Sequence, residues 1–213
     1  MTTIYIEQGK KKTFACSLEW PGWSRSGKTE EDAVQALLVF APRYSKITDR
    51  AKVAFVVDEV VVAERVQGNA TTEFGAPNLI VSADMQPTDI PTLQRNISLL
   101  QAAWELFDET IVSSAAQLRK GPRGGGRDRD DIAHHVLEAE RAYGRKIGIY
   151  NKPFIYDDQV ARFAFRQEIA AVLRKSSDES SLLPGGWPIP YTLRRMAWHV
   201  IDHLWEIEDR QLP

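Results

Sequence analysis

The sequence predicts an α+β chain in two parts. A small α/β module over residues 1–70 is followed, after a linker at 71–87, by an antiparallel four-helix bundle over residues 88–213. Three observations predict it. Near the start, apolar residues alternate with the period of two that a strand requires. From Thr88 onward the period lengthens to that of a helix. Between the two, Gly68, Asn69, Gly75, Pro77, Asn78 and Pro87 give the chain the composition of turns and loops.

In the front part, Phe14, Cys16, Leu18 and Trp20 alternate with Ala15, Ser17 and Glu19. That spacing puts the larger apolar side chains on one face of a strand. Pro21-Gly22 then breaks it. Thr29, followed three residues later by Asp32, resembles a capping box with Asp in place of the usual Glu. Behind it Ala33, Ala36, Leu37 and Phe40 recur at helical spacing, and Pro42 stops that helix soon after. Residues 53–57 and 60–63 are rich in β-branched side chains and read as strand. Asp58-Glu59 between them is either a turn or part of one continuous edge strand.

In the rear part, Leu93, Ile97, Leu100, Trp104, Phe107, Ile111, Ser114 and Leu118 step alternately by four and three. This is the seam of a long helix packed on others. The glycines and proline of residues 120–127 end it. Asp128 or Asp130 caps a second helix that reaches about Gly148, and Asp157-Asp158 opens a third that reaches about Lys175. A polar, then Pro/Gly-rich stretch at 176–190 leads to a fourth helix over residues 191–210. Four amphipathic helices make a four-helix bundle the economical arrangement.

Composition narrows the function. In 213 residues, 27 Lys and Arg balance 29 Asp and Glu, a net charge of −2. That balance argues against a dedicated nucleic-acid binder. The apolar runs fall far short of the ~18 residues that span a bilayer, and residues 1–12 lack the apolar stretch of a signal peptide, so no membrane partner is expected. A single cysteine, Cys16, excludes an intrachain disulfide and Cys-rich zinc sites, and makes the cytoplasm the default compartment.

The four histidines carry the chemical signal. His199 and His203 are four apart on the last helix, so their imidazoles project from one face on consecutive turns. With His199 at zero and about 100° per residue, His203 falls near 40°, and Met196, Ile207, Val200, Leu193 and Leu204 occupy roughly 60–140°. The pair borders the apolar stripe. On the second helix His135 likewise borders the stripe of Ala139, Ile132, Tyr143, Val136 and Ile147. His134 falls on the opposite face with Glu138, Arg141 and Arg145. His135, His199 and His203 are therefore the candidate metal ligands, and His134 is a surface residue. Three imidazoles suit Zn²⁺, Ni²⁺ or another borderline divalent ion and leave a coordination position open, as catalytic zinc sites do. Histidines at the edge of a core that only make hydrogen bonds are the plainer alternative. No HExxH arrangement accompanies the pair, which disfavours a zincin protease.

His135-Val-Leu-Glu-Ala-Glu140-Arg141 on the second helix, with His199-x-x-x-His203 on the last, resembles the DinB/YfiT-like family over roughly residues 88–210. The resemblance implies a four-helix bundle holding a divalent metal through His135, His199 and His203. It also implies a metal-dependent transferase, isomerase or hydrolase that activates a water or a low-molecular-weight thiol toward a small-molecule substrate. Many members of that family have no known activity. Phe14 to Ala33, with its Pro21-Gly22 and its Gly27-Lys-Thr29 approach to a helix, resembles the HicB-like α/β fold. A HicB-like module implies an antitoxin or an accessory domain. The alternative for the whole chain is a non-enzymatic binding protein with a structural or vestigial metal site.

Other features have narrower implications. The loop Gly121-Pro-Arg123-Gly-Gly-Gly-Arg127 precedes the His135 helix. Its backbone N–H groups with Arg123 and Arg127 could hold an anion, such as the carboxylate of a substrate or thiol. A flexible connection is the alternative, and the ending of a P-loop is missing. Trp198 and Trp205 lie off the main stripe of the last helix, where they would cover the front module, seal packing within the chain, or meet the partner in a homodimer. Tyr143 either lines the site or packs in the core. Asp202 is expected in solvent, and Cys16 as an inert core thiol.

Overall fold

β1 (Thr2–Gln8) is an inner strand of a mixed four-stranded sheet ordered β3-β2-β1-β4 in the computed structural model, which describes residues 1–121, 125–175 and 183–212. β2 (Thr13–Ser17) and β3 (Ser24–Gly27) continue from it as an antiparallel meander. β4 (Val60–Gln67) pairs parallel to the other edge of β1, with a register shift after Ile4. Among the described residues seven α-helices complete the chain. They are α1 (Glu30–Val39), α2 (Ala41–Arg50), α3 (Ala70–Phe74), α4 (Ile90–Ser113), α5 (Arg129–Arg145), α6 (Gln159–Arg174) and α7 (Ile189–Asp209). None is long and apolar enough to cross a membrane.

The inner strands β1 and β2 are buried on both faces, so their alternation sorts side chains between two cores, while the edge strand β4 exposes every second residue. Ile4, Ile6 and Ala15 face the main core with Leu37 and Tyr44, while Tyr5, Phe14 and Cys16 face a smaller cluster closed by Val81. Trp20 does not share the Phe14–Cys16 face as its spacing suggested. The chain has left the strand by then, and Trp20 packs in the main core, 4.9 Å from Phe55 between ring centroids.

The capping box of α1 forms as read. The Thr29 hydroxyl accepts from the Asp32 N–H at 3.1 Å, and the Asp32 carboxylate accepts from the Thr29 N–H at 3.2 Å. Pro42 does more than stop α1. It sits in the first turn of α2, where its missing N–H would have had no partner, and Tyr44, Ile47 and Thr48 bury that helix.

Residues 53–57 are not a strand. Pairing between β1 and β4 begins with Thr2 opposite Val60, and the Thr2 N–H reaches the Glu59 carbonyl at 2.9 Å. Upstream of Glu59 the chain meets no partner strand among the described residues, so its β-branched residues run as irregular chain.

The stretch expected to be a linker is tied down at several points. Asn69 caps α3 by accepting from the Thr71 N–H at 2.8 Å. The fully buried Glu7 carboxylate accepts the N–H groups of Asn78 and Leu79 at 3.1 Å and the Thr72 hydroxyl. A 3₁₀ turn at Ser82–Met85 then places Asp84 against Arg194 of α7.

The seam of α4 is buried from Leu93 to Ile111, with Asp89 capping its first turn through the Thr92 N–H. The helix ends at Ser113, short of the expected end near Lys120, yet Ser114 and Leu118 remain buried. α4 packs most extensively on α7, α5 lies against α7, and α6 lies against α4. On α5, Arg141 departs from the expected solvated face. It is buried, donating to Glu138 at 2.6 Å and to the Asn151 carbonyl at 3.2 Å. One continuous core joins Ile4 and Tyr44 to Leu100, Phe165 and Leu204.

Candidate metal centre

α7 presents His199 and His203 on consecutive turns, and α5 brings His135 against them. His199 is 7% exposed and the His203 side chain 12%, while His134 faces outward. The three ring centroids lie 4.7–5.0 Å apart. The Nε2 atoms of His135 and His199 face each other at 3.2 Å, and one ligand atom from each of the three residues lies within 4.8 Å of the others. Bonds of about 2.0–2.1 Å to a tetrahedral ion set neighbouring ligands roughly 3.3 Å apart. The His135–His199 separation already matches that, and His203 closes the third side. The cluster could hold a metal ion.

The electrostatics favour neutral imidazoles, the form that binds metal. Burial, helped by His203 and Arg127, lowers the His135 pKa to about 4. Burial, with His203 and His135 adding to it, holds His199 well below the ordinary histidine range. Behind His203, its Nδ1 meets the Glu206 carboxylate at 2.7 Å, and Arg210 binds the other oxygen of Glu206. Burial pushes Glu206 upward, but the His203 hydrogen bond and Arg210 outweigh it and keep the carboxyl below its usual range. A carboxylate on Nδ1 leaves Nε2 of His203 for an ion and fixes the ring orientation. His199 Nδ1 is buried without a hydrogen-bond partner among the described residues.

The three imidazoles open onto a cavity of about 280 Å³. Its far wall comes from the supposed linker, with Phe74 and Ala76, and its floor from Tyr143, Trp198 and Asp202. Tyr143 therefore lines the site, its ring 5.7 Å from that of His199. Asp202 is not free in solvent; it pairs with Arg25 of β3 at 3.3 Å. Trp198 and Trp205 are both buried within the chain, Trp205 against Phe40 at 5.1 Å. Arg127 is exposed at the cavity rim, whereas Arg123 lies outside the described residues. Cys16 is a buried free thiol pushed up to about 12 by burial, as expected of an inert core residue.

The front part holds α7 in place at the site. Gly22 has φ +86°, and a Cβ there would fall 2.7 Å from the Ala197 backbone, two residues before His199. Arg195 donates to the Pro77 carbonyl at 2.8 Å, fastening the far wall to α7.

Arg195, Glu206 and Arg210 are site residues that the sequence reading missed. Their signal was present: Arg195 is four residues before His199, Glu206 three after His203, and Arg210 four after Glu206, all neighbours on a helix surface. Compared with protein-family models, curated proteins and solved structures, the chain has no match in any of the three.

Proposed function

We propose that the chain is a metal-dependent enzyme of the DinB/YfiT-like type, with its rear helices as a four-helix bundle and its front part as a HicB-like α/β module. His135, His199 and His203 would hold one divalent ion, Zn²⁺ or Ni²⁺. The observation that carries this is the convergence of three imidazoles from two helices, His199 and His203 largely buried and His135 half-buried, with ligand atoms within 4.8 Å of one another on the wall of a cavity. A bare structural site is usually closed by four protein ligands, whereas three ligands facing a cavity leave room for a reactant.

A divalent ion held there supplies Lewis acidity that eases deprotonation of a water or a low-molecular-weight thiol at the open position. The chain's own residues do the rest. His135 and His199 stay unprotonated at neutral pH through burial. Glu206 orients His203, with Arg210 holding Glu206. Tyr143 and Trp198 exclude water from one side of the cavity and offer apolar surface to a substrate. The reaction class is thiol S-transfer, isomerisation or hydrolysis of a small molecule.

Elemental analysis of tag-free protein tests the metal site. The expected result is close to one equivalent of a divalent metal, lost in His199→Ala. Protein that is purified metal-free and takes up neither Zn²⁺ nor Ni²⁺ from solution would refute the reading.

A further inference from the structure

Two arginines share the cavity with the histidines, Arg127 at its rim and Arg195 in its wall. Among the described residues neither has a carboxylate partner. The Arg195 guanidinium gives one N–H to the Pro77 carbonyl and lies 4.8 Å from the ring centroid of Trp198 and 5.5 Å from that of Tyr143. Arg127 contributes its backbone carbonyl to Arg210, a contact that does not involve its guanidinium. The acids nearby are already engaged. Asp202 pairs with Arg25, and Glu206 is held by His203 and Arg210. The cavity thus carries two uncompensated positive charges before any metal is counted. The indole N–H of Trp198, in the same wall, is buried with no acceptor among the described residues. Beside these donors the lining includes the aromatic rings of Tyr143, Trp198 and Phe74.

We infer that this cavity takes a small organic anion, its charged head between Arg195 and Arg127 and its apolar, preferably aromatic, body against Tyr143, Trp198 and Phe74. The inference rests on reading the His135–His199–His203 cavity as the functional site, and it deepens that reading by naming the substrate class. A planar guanidinium already lying against aromatic rings is ordered before the ligand arrives, and it presents N–H pairs that match a carboxylate or a phosphate. A second cation at the rim steers such a ligand inward. A neutral ligand of the same shape would gain the aromatic contacts alone.

The test is direct binding, independent of turnover. Metal-stripped and Zn²⁺-loaded protein are each titrated calorimetrically with benzoate, phenyl phosphate and neutral benzamide, and metal content is measured alongside. The expected result is that benzoate or phenyl phosphate binds at least tenfold more tightly than benzamide even without metal. The tighter of the two names the head group. Arg195→Gln and Arg127→Gln should each lose tenfold or more for the anion and little for benzamide. Arg195→Lys, which keeps the charge, should fall between Arg195→Gln and the parent protein, and it serves as the test should the glutamine variant fail to fold. Equal affinity for benzamide and both anions, or anion binding unchanged in both glutamine variants, overturns the inference. Anion binding that depends on Zn²⁺ and ignores both arginines also overturns it, while leaving the metal site standing. Protein that takes up no metal but binds the anion through the arginines sinks the metal reading and supports this one.

Discussion

Asp84→Ala should destabilise the protein by about 3 kcal/mol, the low end of the ~3–5 kcal/mol expected when one partner of a buried ion pair is removed. Asp84 is 1% exposed, and the Arg194 side chain is 9% exposed. The Arg194 Nε donates to one carboxylate oxygen at 2.9 Å, and a second guanidinium nitrogen reaches the other oxygen. Asp84 also accepts the Val81 N–H at 2.9 Å, so alanine strands a buried backbone donor as well. The low end applies because Arg194 keeps its contacts with Tyr5. It donates to the Tyr5 hydroxyl at 2.8 Å and lies 4.7 Å from the Tyr5 ring centroid. For a chain of 213 residues that loss corresponds to a fall in Tm of about 7 °C. Urea titration of metal-stripped protein, followed by far-UV circular dichroism, measures it. The double variant Asp84→Ala/Arg194→Met should lose less than the sum of the two single losses, because removing both charges removes the unpaired one. A loss under about 1 kcal/mol for Asp84→Ala, or strict additivity in the cycle, would refute the view that this pair pins the 68–87 segment to α7.

Glu206→Ala should weaken Zn²⁺ binding by about 10- to 100-fold, read by competition with a chromophoric chelator, since Glu206 orients His203; unchanged affinity would show that it positions nothing. The Cys16 thiol, buried and pushed up to about 12, should stay unlabelled by a disulfide reagent at pH 8 until denaturant is added. Stoichiometric labelling of the native protein within minutes would contradict its burial. Gly22→Ala should cost more than about 1 kcal/mol, combining a positive φ with a Cβ driven into the α7 backbone, and Zn²⁺ affinity should fall with it. A variant of parental Tm would mean that the turn does not set the position of α7.

What could be read along the chain was what the chain encodes locally. The seam from Leu93 to Ile111 carries its own period, and α4 is buried along it. The His199–His203 spacing and the angular position of His135 picked out three side chains that do meet. What could not be read depends on partners distant in sequence. Residues 53–57 have strand-forming side chains, but a strand needs a neighbour, and β1 offers none upstream of Glu59. Residues 68–87 have turn-forming composition because they hold a cap and tight turns, and they are anchored by residues elsewhere: Glu7 binds the N–H of Asn78, and Arg194 binds Asp84. Turn composition describes backbone conformation and says nothing about whether a segment is anchored. Arg141 shows the same limit on a helix, since a wheel angle cannot reveal that the loop around Asn151 folds over that face.

The position of α7 links these observations to chemistry. Two of the three imidazoles are on α7, so the site is only as well placed as that helix, and the front part holds the helix at successive levels. Arg194 is fixed by Asp84 and Tyr5, Arg195 by Pro77, Ala197 by close contact with Gly22, and Asp202 by Arg25. These contacts bracket His199 and reach to within one residue of His203. The third imidazole is on α5, whose approach is linked to the end of α7 through Arg210. That side chain holds Glu206 and also the carbonyls of Arg119 and Arg127, on either side of the chain leading into α5. An ion drawing the three imidazoles together would therefore act on a scaffold anchored from both sides. This accounts for how two helices with no direct sequence connection can hold facing nitrogens 3.2 Å apart.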